Sequence, residues 1–328
     1  DDAQLLDLAD GVRPGQPLPN VLLSVVKYLL HGEQGAAMPD HRLHAIMAAA
    51  DDIAASVPDD AFAAWRDFAL ANADEVRLQV AYRNVQTNEV GRSAVLACAY
   101  ASIARREPDR PLAIVEVGSS AGLNLQWHRY RCEYWRTSPD RRDAAVGPAD
   151  SPVVLSCELR GDGRPPHLAN GDHAMPAPAS SAGIDLVPVD VRDADQCRWL
   201  RALVWPGMPA REQRLLAALE LARQAPPRVE AGNALTWMNR LDELVAPGAA
   251  VVVAHSFVLN QFTPLERETF AERLQAASAS LGTTYQVAYE HVHGMVADLR
   301  LTTRRPDGDT RSEHLARAHP HGLWIEWL

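Results

Sequence analysis

The sequence predicts an α/β protein: a doubly wound, Rossmann-like sheet with antiparallel strands at its C-terminal end and a helical region before it. Three observations carry the prediction. The apolar, β-branched run at 114–117 turns through Gly118–Ser119–Ser120–Ala121–Gly122 toward a helix expected from Leu123. Strand-like and helix-like runs then alternate to about residue 281. Residues 1–105 read as helical, interrupted by a polar segment at 86–93. The expected division is a helical cap at 1–108 and a Rossmann-like domain at 109–328.

Size and charge narrow the function. The chain has 328 residues, of which 47% are hydrophobic and 23% charged, the balance of a globular protein. A formal net charge of -10 argues against nucleic acid as the main partner, because phosphate binding needs a basic surface. Cys98, Cys132, Cys157 and Cys197 are far apart and form no C-x-x-C pair, which disfavours a zinc cluster and fits a reduced, cytoplasmic protein. No apolar run reaches the roughly 18–20 residues that span a bilayer, and Asp1–Gln4 is unlike a signal peptide. A small-molecule substrate, with neither a nucleic-acid nor a membrane partner, is the expectation, and no pattern speaks to oligomeric state.

In the helical region, 21–30 is apolar with Asn20 as N-cap, and 43–55 is Ala-rich. Residues 61–71 carry Phe62, Trp65 and Phe68 at core-facing helical spacing. The polar segment 86–93 precedes a helix at 94–104. Thr87 or Asn88 would cap that helix; alternatively Asn88, Glu89 and Arg92 project into a pocket from a helical lid.

The α/β portion begins near Pro111. A helix is expected at 123–135, a loop at 137–151, and a second strand at 153–159 with Glu158 near its end. Residues 161–183 read as a long loop, and Pro188 demotes 183–193 to an edge strand or loop. Helices follow at 197–204, 211–224 and 235–245, with a short strand and turn at 228–234. Residues 249–253 form a buried strand ending at His255–Ser256. A helix at 263–280 has Thr263 as N-cap and Pro264 in its first turn. Strands are expected at 284–291, 297–303 and 323–328, the last two antiparallel and joined through 304–321.

A strand, a glycine turn and a helix N-terminus together favour a polar or anionic ligand, because backbone N–H groups and the helix dipole face it. Glu116 sits at the strand's carboxyl edge, where open α/β sheets bind ligands. Asn124 caps the helix or bonds the ligand, while Trp127 and Tyr130 on it read as packing residues. His255 is the candidate base because it ends the buried strand; the competing role is a hydrogen-bonded structural histidine. Asn260 and Gln261 follow at the mouth as candidate substrate contacts. Asp185, Asp190 and Asp193, the pair His291 and His293, and the group His314, His319 and His321 are weighed as metal sites and set aside for solvated surfaces.

Five stretches together resemble a family. They are Pro19–Asn20 with its helix, 86–92, 116–125, Trp199–Leu200 with 203–206, and the His255–Ser256 strand. The resemblance is to the bacterial family called domain of unknown function 2332, over nearly the whole chain. That family in turn resembles S-adenosylmethionine-dependent methyltransferases. The resemblance implies that Glu116, Gly118, Ser119, Ser120, Gly122 and Asn124 hold the cofactor's methionine end. It further implies that Glu158 holds the ribose and that Asn233 and Ala234 touch the adenine. It implies methyl transfer to a small polar metabolite; for such a reaction the residues read above supply His255, Glu89 and Arg92 as catalytic candidates and Asn88, Asn260 and Gln261 on the substrate. Ser120 stands where the middle glycine of the motif is expected, and Asn233 where an acid is expected.

Two rivals use the same turn. Gly118-Ser119-Ser120-Ala121-Gly122 fits G-x-S-x-G, the nucleophile elbow of α/β-hydrolases, with Ser120 as nucleophile, His255 or His291 as base and Asp190 as third member. A non-catalytic nucleoside-binding module on a degenerate methyltransferase fold is the other.

Overall fold

The computed structural model describes residues 2–32, 41–50, 59–136, 142–170 and 177–328. Helices occupy Ala3–Ala9 (α1), Leu18–Leu30 (α2), Arg42–Ala50 (α3), Ala61–Ala71 (α4), Ala73–Tyr82 (α5), Arg92–Arg106 (α6), Ala194–Ala202 (α7), Pro209–Gln224 (α8), Ala234–Met238 (α9) and Pro264–Leu281 (α10). Strands occupy Leu112–Val117 (β1), Arg131–Trp135 (β2), Arg142–Val146 (β3), Val154–Arg160 (β4), Ser180–Asp185 (β5), Val229–Ala231 (β6), Ala250–Ser256 (β7), Thr284–His293 (β8), Val296–Arg304 (β9), Thr310–Ala318 (β10) and Trp324–Trp327 (β11). Backbone contacts divide the chain into two compact units, 1–87 with 192–216, and 88–191 with 217–328. The boundary differs from the expected one: residues 88–108 belong with the sheet, and 192–216 with the helices.

The first unit is helical. In α2, Val21, Leu22, Val25, Val26 and Leu29 are buried. The helix begins at Leu18 behind Pro17, with Pro19 in its first turn, so Asn20 lies inside it and is not its cap. In α4, Phe68 is buried, whereas Phe62 is exposed and stacks on Trp65. A polar network crosses this unit. Lys27 donates to Glu212 and to the Val204 carbonyl, both at 2.7 Å. The Arg83 and Arg198 guanidiniums each stand 4.3 Å from the Tyr28 ring, and Asp195 ties all three together. Of the expected helix at 43–55, residues 51–55 lie outside the described residues.

The second unit is built on one sheet, ordered β3-β2-β4-β11-β10-β9-β8-β7-β1-β5-β6. It is mostly parallel; β8, β9, β10 and β11 are antiparallel in succession, and β3 is antiparallel to β2. In chain order, β1, β5, β6, β7 and β8 stand as 3-2-1-4-5, the Rossmann-like order whose direction of winding reverses beside its first strand. All residues of β1 and β7 are buried, as a strand covered on both faces requires. One face carries Val115, Val117, Ile184, Val251 and Val253 against α9 and α10, with Phe270 and Leu274 in the same core. α10 opens with a capping box, Thr263 bonding Glu266 in both directions, as the sequence implies.

Several elements differ from expectation. Leu123 opens a short 3-10 helix to Arg129, and the remainder of the expected helix is β2. β3 lies in the expected 137–151 loop, whose residues 137–141 fall outside the described residues. β5 lies at the end of the expected long loop, whose residues 171–176 fall outside the described residues. It is an interior strand between β1 and β6; Pro188 follows it rather than interrupting it. The 304–321 connection holds β10. Because β2, β3 and β4 are inserted between β1 and β5, the second strand in the chain is not the second strand of the parallel set.

All four cysteines are buried and free. Among the described residues, no helix is long and apolar enough to cross a membrane.

Candidate functional site

The carboxyl edge of the parallel strands gathers the unusual backbone. Among the described residues, two non-glycine residues have positive φ: Ser120 at 55° and Phe257 at 60°. Ser120 lies in the middle of the turn after β1, and Phe257 follows β7, the strand paired with β1 across the reversal point. Left-handed backbone in a non-glycine residue is costly, most of all for a bulky one, and such strain collects at functional sites.

The turn after β1 is left-handed at Gly118 (φ 70°), Ser120 and Gly122 (φ 69°). A Cβ on Gly118 would collide with the Val258 side chain, so the turn passes under the β7 loop only as glycine. Gly118 is exposed, while every other residue from Leu112 to Trp127 is buried.

The turn does not present its N–H groups as an anion cradle, contrary to expectation. Gly118 and Ser119 donate to the Ile184 carbonyl at 2.8 and 3.3 Å, and Gly122 donates to the Ser119 carbonyl at 2.7 Å. Ser120 donates to the Asp185 carboxylate at 2.8 Å, and Leu123 to the Asn88 side-chain oxygen at 3.0 Å. Asn88 therefore caps the 3-10 helix and not α6, whose N-cap is Gly91.

Asp185 ends β5 beside this turn. Its carboxylate also accepts the Val187 N–H at 3.0 Å, and its carbonyl accepts the Gly232 N–H at 2.8 Å. Asn233 follows Gly232 and caps α9 through the Leu235 N–H at 2.7 Å; Asn233 is exposed and Ala234 buried. The turns after β1, β5 and β6 are thus hydrogen-bonded into one continuous edge. Sequence order hid Asp185, because the β2–β4 insertion separates it from β1.

Glu158 is not at this edge. It lies on β4, six strands from β1, which at about 4.8 Å per strand is ~29 Å away. Its side chain is exposed and bonds Arg160. The assignment of Glu158 to a site at the β1 turn is corrected by this placement.

Glu116 faces away from the α10 core, toward α6, and is 2% exposed. One oxygen accepts from Asn124 at 3.4 Å, and Asn124 in turn accepts from Ser93 on α6 at 2.8 Å. The other oxygen, Oε2, is buried without a hydrogen-bond partner, as is Ser119 Oγ. Burial pushes the Glu116 carboxyl up to about 8, reinforced by the Asp185 charge and opposed by Asn124 and Arg92. Glu116 therefore carries its proton at neutral pH.

His255 lies on the opposite face of the sheet, in line with Val251 and Val253 and edge-on to Phe270. It is 1% exposed. Its Nδ1 lies 2.6 Å from Glu290, and its Nε2 lies 2.9 Å from the Gln286 amide nitrogen. The amide donates to Nε2, which leaves the ring proton on Nδ1 for the Glu290 carboxylate. Both nitrogens are engaged, so the role of base expected for His255 is corrected to that of a structural histidine. Asn260 and Gln261 are exposed in a 3-10 turn after β7.

Glu89 and Arg92 belong to the sheet-bearing unit, at the start of α6. Arg92 is buried; it donates to the Pro320 carbonyl at 3.0 Å and to Ser256 at 3.2 Å, and it stands 4.1 Å from the Phe257 ring centre. Glu89 accepts the Gly91 N–H at 3.1 Å and sets its second oxygen 3.1 Å from His321 Nδ1. His321 is the residue that sequence reasoning missed, having been grouped with His314 and His319 as loop surface. Among the described residues, no group of three or more His, Cys, Asp and Glu is placed to hold a metal ion.

The fold places this chain among α/β proteins with a Rossmann-like, mostly parallel sheet. The chain belongs to a bacterial family described as "uncharacterized protein conserved in bacteria (DUF2332)", whose model matches residues 2–327. No curated protein matches it.

Proposed function

We propose that this chain binds S-adenosylmethionine, or a closely related nucleoside, at the carboxyl edge around Gly118, and transfers the methyl group to a small polar metabolite. The observation that carries the reading is the pairing of the exposed, left-handed Gly118 turn with the half-buried Asp185 carboxylate at the end of the next parallel strand. Asp185 brings a carboxylate, the acceptor chemistry that ribose hydroxyls need, to the end of the strand beside β1, where it orders the Ser120 and Val187 N–H groups. The engagement of the turn's N–H groups within the protein favours a ligand without phosphate over a dinucleotide.

On this reading Gly118 and Ser119 line the methionine end, Asp185 holds the ribose, and Gly232–Asn233–Ala234 borders the base. Protonated Glu116 and its partner Asn124 support the turn from beneath. The cofactor supplies an electrophilic methyl group, and the protein supplies binding and orientation. Asn88, Asn260 and Gln261 remain the substrate-side candidates.

A binding-only reading is favoured by the loss of His255 as a base. The hydrolase reading draws on the strained Ser120, but its expected bases are committed elsewhere. His255 is on the far face, and His291 is exposed and bonds the Gly294 carbonyl at 3.0 Å.

A thermal-shift titration with S-adenosylhomocysteine tests the proposal. Saturation at 100 times Kd stabilises the native state by about 2.7 kcal/mol. A melting temperature unmoved by millimolar ligand refutes it.

A further inference from the structure

We propose that His321 and Glu89 form the proton-accepting pair of this site. His321 Nε2 takes a proton from a hydroxyl or amine of the substrate, and Glu89 holds the ring in position. The proposal rests on the carboxyl-edge reading and names the substrate class as a protic nucleophile.

The pair stands next to the turn. Asn88, adjacent in sequence to Glu89, bonds the Leu123 N–H directly after Gly122. Pro320, adjacent to His321, is bonded by Arg92, which also bonds Ser256 at the end of β7. The loop carrying His321 leaves β10, whose carboxyl end lies on the same edge as those of β7 and β8.

The pair is rigid on one side and open on the other. Glu89 is 2% exposed and is braced by the Gly91 N–H. A Cβ on either Gly91 or Gly322 would run into the backbone of the other strand of contact, so the two segments meet this closely only as glycines. His321 N donates to His319 Nδ1 at 3.1 Å, and the Tyr289 hydroxyl donates to the His319 carbonyl. These contacts fix the loop. His321 Nδ1 is buried 3.1 Å from Glu89 Oε2, an ion-pair distance at which neither atom makes a hydrogen bond, while the His321 side chain as a whole is 29% exposed. A carboxylate behind Nδ1 selects the tautomer with its proton there, which makes Nε2 the acceptor. An imidazole backed by a carboxylate at this distance is the constellation that general-base catalysis uses, and such contacts tighten when the ligand binds.

In the step, the substrate's O–H or N–H bond breaks. Its electron pair stays on the substrate atom, which becomes the nucleophile, and the proton goes to Nε2. The imidazolium so formed has the Glu89 carboxylate as counter-ion.

The test uses the full chain with 15N-labelled histidine, the His321 signal being assigned with His321→Gln. In the neutral ring, identified by its 15N shifts, His321 is expected with its proton on Nδ1 and a bare Nε2. Diethyl pyrocarbonate is expected to modify His321 at least tenfold faster than His255, by mass-spectrometric mapping. In Glu89→Ala the Nδ1–H preference is lost. A wild-type His321 protonated on Nε2, or reacting no faster than His255, overturns the proposal, and both readings stand without any variant. Calorimetry with S-adenosylhomocysteine on wild type and His321→Gln separates the two claims. The dyad predicts equal affinity within twofold, and absence of binding to wild type overturns the cofactor reading instead.

Discussion

Replacing Glu116 by Gln should convert a pH-dependent stability into a flat one. The carboxyl is fully buried, its Oε2 is unpartnered, and its proton is held up to about 8. The unfolded chain releases that proton near 4.5. Between these values the unfolded state sheds a proton that the folded state keeps, so native stability falls as pH rises. The slope is about 1.4 kcal/mol per pH unit, and it ends near pH 8, where the folded group ionises too. Between pH 5 and pH 8 the loss integrates to roughly 3–4 kcal/mol. Gln has the same shape and keeps an acceptor for Asn124, but it does not titrate. The stability difference between Glu116→Gln and wild type should therefore widen by that amount over the same range. For a chain of 328 residues this corresponds to about 5 °C in melting temperature if it unfolds as one transition. Urea titrations of both proteins at pH 5, 6.5 and 8 measure it. Parallel pH profiles for the two proteins would show that Glu116 ionises normally in the fold, and the account of its buried environment would fail.

The remaining expectations concern the edge and its neighbours. Asp185→Ala should weaken S-adenosylhomocysteine binding at least tenfold by calorimetry, whereas Glu158→Ala should leave it within twofold; the reverse order would restore the sequence-based assignment. His255→Ala opens a cavity and strands the Gln286 amide, while Glu290 keeps the Val258 and Leu259 N–H groups; it should cost about 2–4 kcal/mol in urea unfolding, with little effect on ligand affinity in the folded fraction. A loss of affinity without loss of stability would return His255 to the site. A fluorophosphonate probe should leave Ser120 unlabelled, as seen by intact mass; stoichiometric labelling would favour the hydrolase.

The legible part of the fold was local. The β1 run and its glycine turn, the Thr263–Pro264 helix start and the fully apolar β7 each announce themselves in a few adjacent residues. The hidden part depended on strand order. β5 opens with Ser180 and Ser181 and carries few large apolar residues, yet it is interior because Gly183 admits the Ser119 side chain beside it. β10, with Arg311, Ser312, Glu313 and His314, carries too little alternation to stand out from a loop. Glu158 was read as the second-strand acid because nothing local marks β2–β4 as an insertion. For the site, Glu116, Gly118 and Asn88 were found from the polar signatures they sit in. His255 was picked for its position at a strand end, but alternation along β7 sends it to the α10 face. His321 is 232 residues from Glu89 in sequence and meets it only through the β10 loop.

Isothermal titration of the full chain with S-adenosylmethionine and S-adenosylhomocysteine tests the central claim most directly. The account predicts one site per chain for both ligands, lost or sharply weakened in Asp185→Ala. Absence of heat for both ligands at millimolar concentration, in protein shown to be folded, would contradict it.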